Sequence, residues 1–173
     1  MVVVAAGRHR RPAPLAWQAA AVVVCWLAVL AVSSYRRPAG AVHDAALLLH
    51  LASVVIGFGA VLMVDWFGLL WLAGRRGFAD VLRTAHGAHV PTWLGFAGLL
   101  ASGVFLGLPA GPKSLAVLVV GVNGVYAGAL LRELSRHAVP PAPLLIRCAV
   151  ATLISQGAWW TAVVLGHLTS RGG

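Results

Sequence analysis

Long apolar blocks separated by short polar linkers are the dominant pattern of this chain. An α-helix needs ~20 apolar residues to cross a bilayer, and five blocks approach or exceed that length. We assign spans to residues 15–32, 45–72, 90–108, 115–131 and 148–168. The linkers contain Pro and Gly, which end helices. The pattern therefore predicts an all-α fold, a polytopic bundle of about five transmembrane helices forming a single membrane domain over residues 1–173.

The composition agrees with a membrane domain. The chain is 60% hydrophobic and only 10% charged, whereas soluble domains carry about 25% charged residues. The net charge of +9 does not indicate nucleic-acid binding, because the basic residues lie between the apolar blocks, where positive charge sets membrane orientation. The lipid bilayer is therefore the expected partner, and an Arg-, Ala-, Val- and Leu-rich composition favours a bacterial plasma membrane.

The distribution of basic residues predicts the orientation of the bundle. With five spans, one side holds nine arginines, namely Arg8, Arg10, Arg11, Arg75, Arg76, Arg83, Arg132, Arg136 and Arg147. The other side holds Arg36, Arg37, Lys113 and Arg171. This asymmetry predicts the N-terminus inside and the C-terminus outside. The first apolar block exceeds the ~7–15 residues of a signal-peptide core, so we expect it to be a retained helix.

Three histidines are expected near the outer side of the membrane. A helical rise of ~1.5 Å per residue places His50 and His167 at similar depths, about 12 and 13 Å from the bilayer centre. His43 shares a helix face with His50, because the two are seven residues apart. The pair His50 and His167 is a candidate axial ligand set for haem b, or a copper site. The alternative for His50 is an interhelical hydrogen bond to Ser, Thr or a backbone carbonyl.

A second polar group is expected toward the inner side. Asp65 lies about 10 Å from the bilayer centre, near the depth of His89. An aspartate at the centre of a span costs about 3 kcal/mol on insertion scales, so Asp65 requires a partner. With His89 it would form a proton relay or cation site, as in a proton-coupled or small-solute permease. The alternative is a structural ion pair with Arg83 or Arg132.

Two uncharged polar side chains, Asn123 and Gln156, are expected near the middle of the fourth and fifth spans.

The spacing of His86 and His89 is a weak metal-binding signal. Gly87 and Pro91 favour a loop entering the third helix instead, and the segment 77–84 is expected to form a short interfacial helix.

Small residues recur at helical spacing in two spans. Gly103 and Gly107 form one GxxxG pattern, and Gly124 and Gly128 form another. Such residues let membrane helices approach closely, so we predict packing faces. They also fit a noncatalytic assembly subunit, in which these faces would bind a second copy or another membrane subunit. The alternative is room for a flat cofactor or a lipid tail.

Several stretches of the chain resemble a known group of membrane proteins. After His50 come VVIGFGAVLMVDW, then HGAHVPTWLGFAGLLASGVFL, then PKSLAVLVVGVNGV. This pattern, over residues 41–131, is similar to small bacterial proteins of the copper-resistance D-type and the HemJ-type protoporphyrinogen oxidases. The resemblance implies that His50 is a haem or copper ligand and that Lys113 is the lysine at a span entrance. No hydrolase, nucleotide-binding or zinc-protease motif is present, so no catalytic residue is assigned.

Overall fold

Five helices account for nearly all of the described chain. The structure is a computed structural model that describes residues 14–35, 39–107 and 110–171. The helices are α1 Leu15–Ser33, α2 Ala41–Leu72, α3 Phe78–Leu106, α4 Pro112–Leu134 and α5 Ala142–Arg171. All five are long and apolar enough to cross a membrane. The predicted all-α bundle of five membrane helices is therefore confirmed.

Glycine and proline define several helix ends, as their backbone chemistry requires. Gly107 has φ +67° and is the C-cap of α3, a conformation that L side chains rarely adopt. Pro112 is the first residue of α4, where its missing N–H group costs no helical hydrogen bond. The prediction that Gly107 belongs to a packing face is therefore wrong, because this glycine terminates the helix.

Helix α3 begins 12 residues earlier than the sequence pattern predicts. The expected short interfacial helix is its first part, and the expected loop with His86 and His89 is also helical. Pro91 lies inside the helix and removes one backbone hydrogen bond, which membrane helices tolerate. At the start of α3, Asp80 accepts a hydrogen bond from the Gly77 N–H at 3.3 Å. This cap stabilises a first turn that is too polar to be recognised from hydrophobicity.

The core lies at the middle of the bundle and draws on every helix. One buried cluster contains Val22 of α1, Phe58 of α2, Phe96 of α3, Val120 of α4 and Trp159 of α5. The rings of Phe58 and Trp159 stack with centroids 5.5 Å apart. Helix α4 is the central element, because 50% of its apolar 18-residue stretch is buried inside the bundle, against 28% or less in the other helices.

Helices α2 and α3 approach each other most closely where two glycines meet. A Cβ atom added to Gly95 would lie 2.4 Å from the Gly57 Cα atom and 2.7 Å from the Ser53 carbonyl oxygen. A Cβ atom added to Gly98 would lie 2.1 Å from the Ser53 hydroxyl oxygen. No side chain fits at either position, so the two backbones pack directly, as small residues allow in membranes.

The crossing of α2 and α3 gives a first prediction. We expect Gly95→Ala to destabilise the bundle by about 1–3 kcal/mol, because the new methyl group meets backbone atoms and forces the helices apart. The measurement is the shift of the SDS-induced unfolding midpoint of the purified protein. Gly59→Ala is the matched control, because its Cβ atom would meet nothing within 4 Å. Equal midpoints for the two variants would contradict the close crossing.

Candidate functional site

Three helices bring polar side chains together at one end of the bundle. His50 of α2 lies two helical turns before Gly57, and Ser102 of α3 lies two turns after Gly95. Residues seven apart share a helix face, so the glycine crossing directs these side chains toward each other. The His50 Nδ1 atom and the Ser102 hydroxyl oxygen are 2.9 Å apart. Ser102 is fully buried, and His50 is half-buried.

The hydrogen bonds of Ser102 bear on the tautomer of a neutral His50. The Ser102 hydroxyl is placed to donate its only proton to the Leu99 carbonyl oxygen at 3.1 Å. When this bond is made, the hydroxyl oxygen accepts from His50, and the imidazole proton lies on Nδ1. The Nε2 atom then carries a lone pair. A metal-ligating histidine has this arrangement, in which one ring nitrogen donates to a fixed acceptor and the other binds.

Lys113 at the start of α4 completes what we call the His50 cluster: His50, Ser102 and Lys113. The Lys113 ammonium is near enough to act electrostatically on His50. It also lies against α5, because a Cβ atom added to Gly166 would be 3.7 Å from its Nζ atom. The backbone carbonyl oxygen of the next residue, Ser114, accepts a hydrogen bond from the Trp26 indole at 2.8 Å, which anchors the start of α4.

Lys113 takes part in no salt bridge among the residues that the structure describes. Within the described ranges, the salt bridges join Arg83 to Asp80 and Arg147 to Glu133. Lys113 is half-exposed. The His50 cluster therefore combines an imidazole with a positive charge that no salt bridge of the described residues balances.

The other two predicted outer histidines lie at the same end of the bundle. His167 directly follows Gly166, the glycine beside Lys113, and its side chain is exposed. His43 is exposed in the first turn of α2. That His50 and His167 bind one ligand stays a prediction. Among residues 14–35, 39–107 and 110–171, no three His, Cys, Asp or Glu side chains converge as a metal site would require.

Asp65 does not pair with the residues that the sequence suggested. Its Oδ2 atom accepts a hydrogen bond from the Gln156 side-chain amide of α5. Gln156 is the fifteenth residue of the 30-residue helix α5, so this contact draws the carboxyl group toward the middle of the bundle. The predicted pairing of Asp65 with His89, Arg83 or Arg132 is therefore wrong, because the depth of a residue along a helix does not specify which neighbouring helix its side chain faces.

His89 instead faces α4. A Cβ atom added to Gly128 would lie 3.4 Å from the His89 Cε1 atom and 3.6 Å from an Arg132 Nη atom. The His89 ring also contacts Trp93, with centroids 6.3 Å apart. His86 shares the helical segment, and its Nδ1 atom lies 2.8 Å from the Leu82 carbonyl oxygen. This hydrogen bond holds His86 against its own helix.

The remaining predicted residues have packing contacts. Asn123 is buried and donates from its amide to the Ala151 carbonyl oxygen at 2.8 Å, which joins α4 to α5. Gly124 faces Trp93, and Gly128 makes room for His89. Gly103 is buried in α3. These three glycines therefore fit the predicted packing role, unlike Gly107.

Ser102 is the site residue that sequence reasoning missed. A serine within an apolar span ordinarily bonds to its own helix, and nothing in its neighbours distinguishes it. The available signal was its spacing from Gly95, but this becomes informative only when Gly57 is known to face Gly95.

The comparisons with known proteins add no assignment. No family model, no curated protein and no solved structure matches the chain. The site must therefore be interpreted from its own geometry.

The tautomer of His50 is a testable consequence of this geometry. We expect ¹⁵N NMR spectra of histidine-labelled protein, at a pH where the ring is neutral, to show His50 protonated on Nδ1. Ser102→Ala removes the acceptor and should shift the His50 population toward the Nε2-protonated tautomer. Exposed His43 serves as the internal reference in both spectra. An Nε2-protonated His50 in the unmodified protein would contradict the assigned hydrogen bond.

Proposed function

We propose that this multi-pass membrane protein binds haem through the His50 cluster. The observation that carries the proposal is the pairing of the His50 Nδ1 atom with Ser102 beside the Lys113 ammonium. A haem group has an iron atom that accepts an imidazole nitrogen and carboxylate side groups that attract a cation. The His50 cluster presents one group of each kind.

The donor set favours haem over a bare copper ion. A bare ion takes most of its ligands from the protein, and the described residues contain no group of three suitable side chains. The porphyrin itself supplies four nitrogen donors, so one or two protein side chains complete the iron coordination. His50 would hold the iron, and His167, at the same end of the bundle, would be the candidate second ligand.

The protein groups would have separate roles. Ser102 would orient the imidazole and maintain its basic Nε2 atom, as partners of metal-bound histidines do. Lys113 would bind an anionic side group of the ligand. The resemblance to the HemJ-type and copper-resistance D-type group implies the same two residues, His50 and Lys113. The bound iron would supply electron-transfer or redox chemistry.

The absorption spectrum tests the proposal directly. Protein purified from haem-replete cells should show a Soret band, and His50→Ala should abolish it. His43→Ala is the matched control, because it removes an exposed histidine from the same helix and should leave the band unchanged. Ser102→Ala should weaken haem binding about 10–100-fold, the usual effect of losing a partner of a ligating histidine. A colourless unmodified protein would overturn the proposal.

A further inference from the structure

A second polar site lies between α2 and α5, away from the His50 cluster. Asp65 is seven residues from the end of α2, and its carboxyl group bonds to the Gln156 amide. Both side chains are half-buried. Helices α2 and α5 are also joined by rings, since Phe58 contacts both Trp159 and Trp160, with centroids 5.5 and 5.2 Å apart. These ring contacts join α2 to α5 about two helical turns from Asp65 along α2.

The other three carboxyl groups of the chain have different environments. The chain contains four acidic residues in total. Asp80 and Glu133 each form a salt bridge with an arginine. Asp44 is exposed in the first turn of α2, where the helix dipole favours a negative charge. Asp65 has an uncharged partner instead.

No basic side chain of the neighbouring helices faces Asp65 among the residues that the structure describes. On α3, His86 bonds to Leu82, and His89 lies against Trp93 and Gly128. On α4, the Arg132 side chain lies beside the same Gly128.

The titratable groups of α5 and α2 are also directed elsewhere. Arg147 bonds to the Tyr126 hydroxyl group and contacts Glu133. The remaining groups lie far along the helices. On α5, Cys148 and His167 are eight and eleven residues from Gln156, or about 12 and 16 Å. On α2, His50 is fifteen residues from Asp65, or about 22 Å. The described protein therefore offers no charge to balance an ionised Asp65.

We propose that Asp65 and Gln156 form a proton-binding site within the membrane. A carboxylic acid and a primary amide are complementary: the amide N–H donates to the carboxyl C=O, and the acid O–H donates to the amide oxygen. A proton on Asp65 satisfies both groups without burying a charge in the bilayer, where a charge is costly. The site is independent of the haem proposal, because it uses other residues, another helix pair and another end of α2.

Dicyclohexylcarbodiimide is a suitable probe of this site. The reagent is apolar and adds to protonated carboxylic acids. The acid proton passes to one carbodiimide nitrogen, the carboxyl oxygen bonds to the central carbon, and the acyl group then migrates to a nitrogen to give a stable N-acylurea. Nothing leaves, so the protein gains the mass of one reagent molecule. The reagent does not add to a carboxylate, so we expect no adduct on Asp80 and Glu133, which pair with arginine, or on the exposed Asp44.

The experiment uses the full chain in phosphatidylcholine nanodiscs at neutral pH, with intact-mass and peptide mass spectrometry. We expect one adduct, located on Asp65. Asp65→Asn should lose the adduct, whereas the matched control Asp44→Asn, on the same helix, should retain it. Sodium chloride in place of choline chloride should not change the labelling rate. Absence of an adduct on Asp65 would overturn the proposal, and protection by sodium would overturn it in favour of a sodium site.

A second variant tests the role of Gln156 while preserving the carboxyl group. Gln156→Lys places a cation beside Asp65, and an opposite charge within ~4–6 Å favours the ionised carboxylate. We expect labelling to slow by about tenfold or more, with helical content and elution volume unchanged, because an ion pair replaces the hydrogen bond. Labelling at the unmodified rate would overturn the pairing. The Soret band should persist in both variants, which separates this proposal from the haem proposal.

Discussion

The close approach of Gly57 and Gly95 determines most of what the bundle does. On α2, His50, Ser53 and Gly57 share one face, and on α3 Gly95, Gly98 and Ser102 share another. Because the helices are antiparallel, the three pairs meet in register: glycine on glycine, Ser53 over Gly98, and His50 on Ser102. A side chain at Gly95 would separate the backbones, and the hydrogen bond that orients His50 would be lost with the contact. The chemistry of His50 thus depends on a packing contact two turns away.

Helix α2 connects the two polar sites by presenting different faces to different neighbours. Its face with His50 and Gly57 meets α3, while Phe58 and Asp65, which are seven residues apart, meet α5. Trp159 lies between these faces, since it stacks on Phe58 and would contact a Cβ atom at Gly57. Gly57 therefore makes room for the Trp159 ring as well as for the backbone of α3.

The sequence predicted the helices, but not the faces that they present to one another. Apolar block length is a one-dimensional property, and it was sufficient for five spans. It underestimated the length of α3. The polar first turn, capped by Asp80, and the segment around Pro91 do not have the composition of a membrane helix, so only the structure shows that they are helical. Depth alone grouped Asp65 with His89, although their side chains point to α5 and α4, respectively. The contacts of His50 with Ser102 and Lys113 required knowledge of which helices are adjacent, which hydrophobic periodicity does not contain.

The two sites share an electrostatic problem and differ in how it is solved. Lys113 and Asp65 have opposite charges when ionised, but they do not neutralise each other. Lys113 lies beside His50, and His50 and Asp65 are separated by about 22 Å along α2. In the haem proposal, the Lys113 ammonium binds an anionic side group of the ligand. An aspartate beside an amide needs only a proton. The two proposals therefore assign different ligands: an anionic group with a metal centre to the His50 cluster, and a proton to Asp65 and Gln156.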